Sequence, residues 1–466
     1  MKKNYGIVIA ICLLSLYVII RSYTVDITND EAYSFHNVKY FWYAESFCTA
    51  NTHWLNSAAI KAALLLGLEN NWAIRWFSAL SAIIFFIICY FFIRSLTTTY
   101  HQLFACTLLL FNPFVLDYFG LARGYASGIM LESTALFLFI IAVKKQKRFF
   151  AFLAVLCAGL SAIGNYSFVY FFAAFSIVYF SVFYFKKGFS LFKNIGFYID
   201  LLVCFAISAF VIRAWMFLLK CSQDLGAGTD SIDEVCTSFI DGLVYFRFHY
   251  TETAATIITC ILIGLVVIIC GYGIFKFKKH KQEIYFYSSL ILSITLLILA
   301  VNFLCFKIVL PYARTILFLF PLVCICVIYF VQEAFHFQGK NVALIALSIL
   351  FLLPFLRKPT FSYTLDFAPQ EDTRNVFNYC DSIGATNIGM SMELYGVYIN
   401  YYQITEKLKY HFKAESLQYS TTLENFKYLL LAPPWDLTKF NTQELQLSPI
   451  KKFSKNHILL LEVYKK

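Results

Sequence analysis

Charge is scarce in this chain of 466 residues, of which only 14% are Asp, Glu, Lys or Arg. With 60% hydrophobic residues and a mean hydropathy of +0.67, that scarcity excludes disorder, a coiled coil, a small secreted scaffold and the ordinary soluble globular class. The 14 cysteines include no Cys-x-x-Cys pair and no metal-ligand spacing, so nothing marks a structural zinc site. Only Cys221 and Cys236 fall near each other in a non-cytoplasmic loop, where a disulfide and two free thiols are equally compatible with the spacing. Neither His36 nor His53 has a neighbour at His-x-x-His or His-Glu-x-x-His spacing, which leaves no catalytic metal to be built from spacing alone.

What is abundant is apolar. The chain holds 52 Phe and 32 Tyr, more apolar surface than a soluble core can bury, and lipid is the second solvent that can take it. The net charge of +11 would suit nucleic acid, but the basic residues gather in short clusters between apolar runs: Lys2 and Lys3, Lys144 to Arg148, Lys186 and Lys187, and Lys276 to Lys281. That is the positive-inside pattern of a polytopic membrane protein. Eleven segments are long enough to cross about 30 Å of hydrocarbon: 5–21, 72–93, 102–118, 124–143, 149–164, 166–185, 196–219, 254–275, 284–303, 312–331 and 341–356. With Lys2 and Lys3 inside, each dense basic cluster is cytoplasmic and the eleventh crossing leaves the C-terminus outside. Segment 5–21 reads as an uncleaved anchor, because Ser22 to Val25 lack a small-x-small cleavage pattern. Segments 149–164 and 166–185, joined by Gly164 and Asn165, read as a tight hairpin or a broken pair.

The expected organisation is an all-α membrane region over 1–356 followed by an extracytoplasmic domain over 357–466. The loop from Arg21 to Asn71, rich in aromatic and polar residues, suits interfacial helices. The last 110 residues carry 13 Lys or Arg and 11 Asp or Glu, about 22% charged, and suit a small water-exposed α/β fold. Helices are expected near 371–383 and 393–403, and strands near 386–391, 428–432 and 457–463. No Gly-rich phosphate loop or nucleophile elbow lies in this tail, which gives it a supporting or acceptor-binding role.

The polar candidates cluster at the outer ends of the helices. Directly after the first span comes Asp26-Ile-Thr-Asn-Asp30-Glu31-Ala-Tyr33, two adjacent carboxylates where a lipid-linked substrate would present its head group. The plain alternative is helix capping by Asn29 or Asp30, and the two roles are compatible. A second cluster, Asp117-Tyr118-Phe-Gly-Leu-Ala-Arg123-Gly-Tyr125, offers an Asp117–Arg123 pair across a turn or an arginine aimed at phosphate. Arg314, just after Pro311, brings positive charge into the tenth span, either to bind an anion or to snorkel. Glu132 lies about 13 Å deeper than Arg123, where an ionised carboxylate is costly unless paired; a neutral, structural role competes with a functional one. His53 and His36 are candidates for acceptor contact, and the neighbouring aromatics suit either sugar stacking or the interface belt.

Three of these segments together carry a resemblance: Asn29-Asp30-Glu31-Ala32-Tyr33, Leu121-Ala-Arg123-Gly-Tyr125 and Pro311-Tyr-Ala-Arg314. In that order and placement the chain resembles the GT-C superfamily of membrane glycosyltransferases. Within it, the chain resembles those related to dolichyl-phosphate-mannose protein mannosyltransferases and to bacterial lipid A aminoarabinose transferases. The resemblance implies an all-α polytopic GT-C fold of about 11 spans. It also implies transfer of a hexosyl or pentosyl group from a polyprenyl-phosphate donor to an acceptor outside the cytoplasmic (inner) membrane. It makes Asp30 the essential carboxylate with Glu31 beside it, places Arg123, Tyr125 and Arg314 around the donor phosphate, and leaves His53, Asp117 and Tyr33 as acceptor or sugar contacts. The tail does not match the β-trefoil module of some eukaryotic relatives, which leaves a peptide acceptor open; because exterior loops set the pocket shape, glycan, lipid, lipid A and protein all stay open as acceptors. A divalent cation such as Mg or Mn is compatible with the paired carboxylates but not required by them. The competing class is a lipid-intermediate flippase or secondary transporter, which would put Glu132 on an ion path and break helices at the midplane.

Overall fold

The computed structural model describes residues 5–41, 53–188, 195–220, 228–275, 283–335, 337–357, 361, 364–405, 409–418, 423–432, 445–453 and 458–465. Helix α1 (Tyr5–Thr24) leads into two shorter helices, α2 (Asn29–Tyr40) and α3 (Trp54–Leu65), which occupy the long first loop. Then come α4 (Asn71–Arg94), α5 (Thr99–Leu110), α6 (Pro113–Phe119), α7 (Gly124–Lys145), α8 (Arg148–Gly164), α9 (Val169–Lys187) and α10 (Ile195–Lys220). A two-residue strand β1 (Gly228–Thr229) precedes α11 (Ile232–Val244), α12 (Glu252–Phe275) and α13 (Glu283–Phe306). Strand β2 (Leu310–Pro311) pairs antiparallel with β1, and α14 (Phe320–Ala334) and α15 (Lys340–Arg357) complete the bundle.

All eleven expected spans are helical, but they are not eleven equal crossings. Among the described residues nine helices are long and apolar enough to cross a membrane. The expected span 102–118 is instead two helices, α5 and α6, bent by 52°. The cause is local: Pro113 has no N–H to continue α5, and the Asn112 side chain accepts from the Val115 N–H at 3.0 Å to start α6 afresh. Helix α8 has only 17 residues, about 25 Å of rise, at the short limit for a span. The break expected at Gly164 and Asn165 separates two distinct helices, with Asn165 extended and capping the turn Tyr166–Phe168 that opens α9. The Cys221–Cys236 pairing lies outside the described residues at Cys221.

In the tail, α16 (Thr373–Ser382) precedes β3 (Asn387–Met390), α17 (Met392–Val397) and a π turn over Tyr398–Tyr402. Strands β4 (Lys413–Ser416), β5 (Tyr428–Leu431), β6 (Leu445–Lys452) and β7 (Leu459–Lys465) complete a five-stranded sheet of order β4-β3-β5-β7-β6. The β4, β3 and β5 ladders are parallel, and β7 joins antiparallel. The strands read from sequence, β3, β5 and β7, are its centre. The two not anticipated, β4 and β6, are its edges, where a polar Lys-Ala-Glu-Ser run and a bulge beside Pro449 are tolerated. The apolar core of this tail is completed from the first loop: Ile27, Phe35 and Val38 share one buried cluster with Val376, Phe377, Tyr401 and Leu460.

Gly124 opens α7 against the end of α8. A Cβ there would overlap the Gly164 carbonyl oxygen and lie 2.8 Å from His53 Nδ1. Gly124→Ala is therefore expected to destabilise the fold by about 1–3 kcal/mol, read as a lowered thermal midpoint of the detergent-solubilised protein. An unchanged midpoint would contradict this packing.

Candidate functional site

The two adjacent carboxylates have opposite surroundings. Thr28, rather than Asn29 or Asp30, is the N-cap of α2, and with Glu31 it forms a capping box. Glu31 is completely buried. Its Oε1 accepts from Arg75 Nε at 2.7 Å and from the Ala122 N–H at 2.5 Å. Its Oε2 accepts from Arg75 Nη2 at 2.6 Å and from the Thr28 N–H and hydroxyl at 3.0 and 3.1 Å. Burial alone would raise the Glu31 pKa, yet the Arg75 guanidinium and these N–H donors outweigh it and hold the group below the usual carboxylate value. Arg75 also donates to the carbonyls of Ser22, Val25 and Asp26. One buried ion pair thus ties the end of α1, the start of α2, helix α4 and the turn at Leu121–Ala122.

Asp30, one residue earlier, faces the other way. Its Oδ2 lies 3.1 Å from Arg123 Nη2 and 3.3 Å from Arg314 Nη2, and its side chain is 20% exposed. Arg123 is buried, and among the described residues its Nε and Nη1 have no hydrogen-bond partner. Arg314 is positioned by strained backbone: Ala313 sits at φ 50°, in the left-handed region that a side chain disfavours, and its N–H donates to the Ser238 hydroxyl. The Arg314 guanidinium rests 5.4 Å from the centre of the Phe367 ring, so the tail contributes one wall. The neighbouring Asp366 accepts from Tyr118 Oη and, at 2.7 Å, from Arg247 Nη2.

Tyr125 packs its ring 4.9 Å from Tyr118 and 5.7 Å from His53, beneath this acid–arginine group. His53 is buried, and burial together with the charges of Arg123 and Arg314 pushes its pKa well below the ordinary imidazole value. It is a neutral imidazole at neutral pH. Asp117 does not pair with Arg123 as the spacing suggests. It is buried and bound to Arg21 Nη2 at 2.6 Å, and it accepts from Tyr245 Oη at 2.8 Å and the Leu365 N–H at 2.9 Å. The reason is reach: Arg123 caps α7 and turns toward α2, while Arg21 at the end of α1 meets α6. Tyr33 is exposed on α2, and His36 is half-buried against Tyr40 and Phe41. Glu132 is fully buried within an unbroken α7, without a hydrogen-bond partner among the described residues, so no midplane helix break accompanies it.

The donor set does not fit a divalent cation at the paired carboxylates. Glu31 is saturated by five N–H and O–H donors, and Asp30 already faces two guanidinium groups that would repel a cation. Among the described residues no group of three His, Cys, Asp or Glu side chains is arranged to hold a metal ion. Sequence reasoning passed over Arg75, Arg21, Asp366 and Phe367. Arg75 and Arg21 did carry a signal, since each is an arginine in an apolar helix and requires a buried acid.

No family model and no curated protein matches the chain. Among solved structures it is similar to ArnT from Cupriavidus metallidurans in the apo state, at 10% identity over 98% of each chain with a TM-score of 0.52. The likeness is one of fold: a bundle of long apolar helices followed by a smaller tail.

Two outcomes follow from these environments. Glu31→Ala strands the Arg75 charge and is expected to cost about 3–5 kcal/mol of stability; a variant that unfolds at the wild-type midpoint would contradict the structural role. Because the folded-state pKa of His53 is depressed, the unfolded chain binds the extra proton. Stability is therefore expected to be full above about pH 6.5 and to fall as the pH drops below it. His53→Gln should flatten that fall, as measured by thermal midpoints between pH 5 and 8.

Proposed function

We propose that the protein transfers a glycosyl group from a polyprenyl-phosphate-linked sugar to an acceptor hydroxyl on the non-cytoplasmic side of the membrane, with inversion at C1. The observation that carries this reading is the buried Arg123, which has two nitrogens, Nε and Nη1, unpartnered among the described residues and shares Asp30 with Arg314. A buried guanidinium with unused donors is matched to phosphate oxygens, and two such cations suit a departing phosphate monoester. Likeness to the ArnT fold supports the same class.

In this reading Asp30 is the acceptor base. The acceptor oxygen bonds to C1, the C1–O bond to the phosphate breaks, and polyprenyl phosphate leaves with that electron pair. The acceptor proton passes to the Asp30 carboxylate as C1 gains oxocarbenium character and the hydroxyl becomes acidic. Arg123 and Arg314 trade part of their contact with Asp30 for the donor phosphate, which frees the carboxylate for its proton. Glu31 holds α2 and so positions Asp30. Tyr125 and the neutral His53 wall the pocket without adding charge, while Asp117 anchors α6 and Tyr33 faces outward on the acceptor side. Residues 1–356 carry this chemistry, and residues 357–466 form an extracytoplasmic part that closes over it.

The test is the purified protein with a panel of polyprenyl-phosphate sugars and candidate acceptors, with products read by mass. Asp30→Asn is expected to lower turnover by about 10²–10⁴-fold while donor binding persists. Arg123→Ala is expected to weaken the donor, raising its KM about tenfold or more. Wild-type turnover in the first variant removes Asp30 as base, and an unchanged donor KM in the second removes the phosphate role.

A further inference from the structure

The opposite end of the bundle holds a second charged pocket. Helix α7 runs 22 residues from Gly124 to Lys145, so its far end lies about 30 Å from Arg123. There the α7–α8 turn and the facing ends of α9 and α10 line a cavity of about 90 Å³. Its walls include Ala142, Val143, Phe183 and Phe197, and its rim carries Lys147, Arg148 and Lys186.

The charge here is one-sided. From residue 133 to residue 199 the sequence contains no Asp or Glu. Asp200, buried at the base of the cavity, is the one acid these helices offer at this end, and it is already engaged by Arg148 and by Tyr179 Oη at 2.5 Å. Arg148 is further tied to Tyr179 Oη at 3.0 Å and to the Gly196 carbonyl. Lys147 and Lys186 are exposed and have no ion-pair partner among the described residues. Outside the rim, Phe149, Phe185 and Ile195 are strongly exposed, as expected where side chains meet lipid.

We propose that this pocket binds the head group of an anionic phospholipid in the cytoplasmic leaflet. The phosphodiester sits between Lys147 and Lys186 at the Arg148 rim, and an acyl chain leaves along Phe183 and Phe197. Asp200 Oδ1, buried and without a hydrogen-bond partner among the described residues, accepts from a head-group hydroxyl, which favours a glycerol head group. A cavity this small takes one phosphate and its nearest carbons, and the apolar walls distinguish a lipid from a free anion. Basic pockets between helix ends on the positive side are suited to such head groups.

The experiment is native mass spectrometry of the full-length protein in mild detergent, with phosphatidylglycerol, phosphatidylcholine or inorganic phosphate added, alongside thermal midpoints. The expected result is retained phosphatidylglycerol adducts and a raised midpoint, with neither from phosphatidylcholine or phosphate. Lys147→Gln with Lys186→Gln should lower phosphatidylglycerol retention about tenfold or more at an unchanged lipid-free midpoint, and the corresponding double Arg variant should restore it. Lys340→Gln, at the same end of the bundle but outside the pocket, should retain lipid as the wild type does. Equal retention of both lipids, equal protection by inorganic phosphate, or an equal loss in the Lys340 variant overturns the proposal.

Discussion

The architecture of the candidate site depends on one buried ion pair, Glu31 with Arg75. Two charges withdrawn from solvent are tolerable only when every remaining donor and acceptor is satisfied. Here they are: Glu31 accepts five hydrogen bonds, and Arg75 adds three carbonyls at the end of α1. That pair fixes the exit of α1, the start of α2 and the turn before α7 as one unit. Asp30 and Arg123 come from two of those three pieces, so their 3.1 Å approach follows from a clamp that neither belongs to.

A parallel clamp supports the other side. Arg21 and Asp117 join α1 to α6, and Asp117 also receives the Leu365 N–H, which draws the beginning of the tail over the bundle. Phe367 then reaches Arg314, and Asp366 reaches Tyr118 and Arg247. The membrane helices and the tail thereby share one polar seam, with two fully committed acids behind it and one partly exposed acid in front. The partly exposed one, Asp30, is the group with room to exchange a proton.

Much of the fold was legible because lipid imposes its own rule: apolar length and basic clusters placed all eleven helical segments. The exceptions have local causes, Pro113 bending one span and seventeen residues limiting another. The centre of the tail sheet was legible through Tyr428–Leu431 and Leu459–Lys465, whereas its edge strands were not, since a polar or proline-bearing edge has no apolar pattern to read. In the site, Asp30 lies 3.1 Å from Arg123 and 3.3 Å from Arg314, three residues drawn from three separate short motifs. The partners of Glu31 and Asp117 escaped because pairs separated by 44 and 96 positions leave no trace in local spacing. The sequence presented Asp30 and Glu31 as a pair, and burial separates them.

The central claim is that Asp30, Arg123 and Arg314 surround one phosphate at the outer end of the bundle. The most direct measurement is an experimental density map of the protein with polyprenyl phosphate bound. The expected result is phosphate oxygens about 3 Å from Arg123 and Arg314 nitrogens, with Asp30 displaced toward the acceptor side. A phosphate seated elsewhere in the bundle, with the Asp30–Arg123 contact intact, would contradict it.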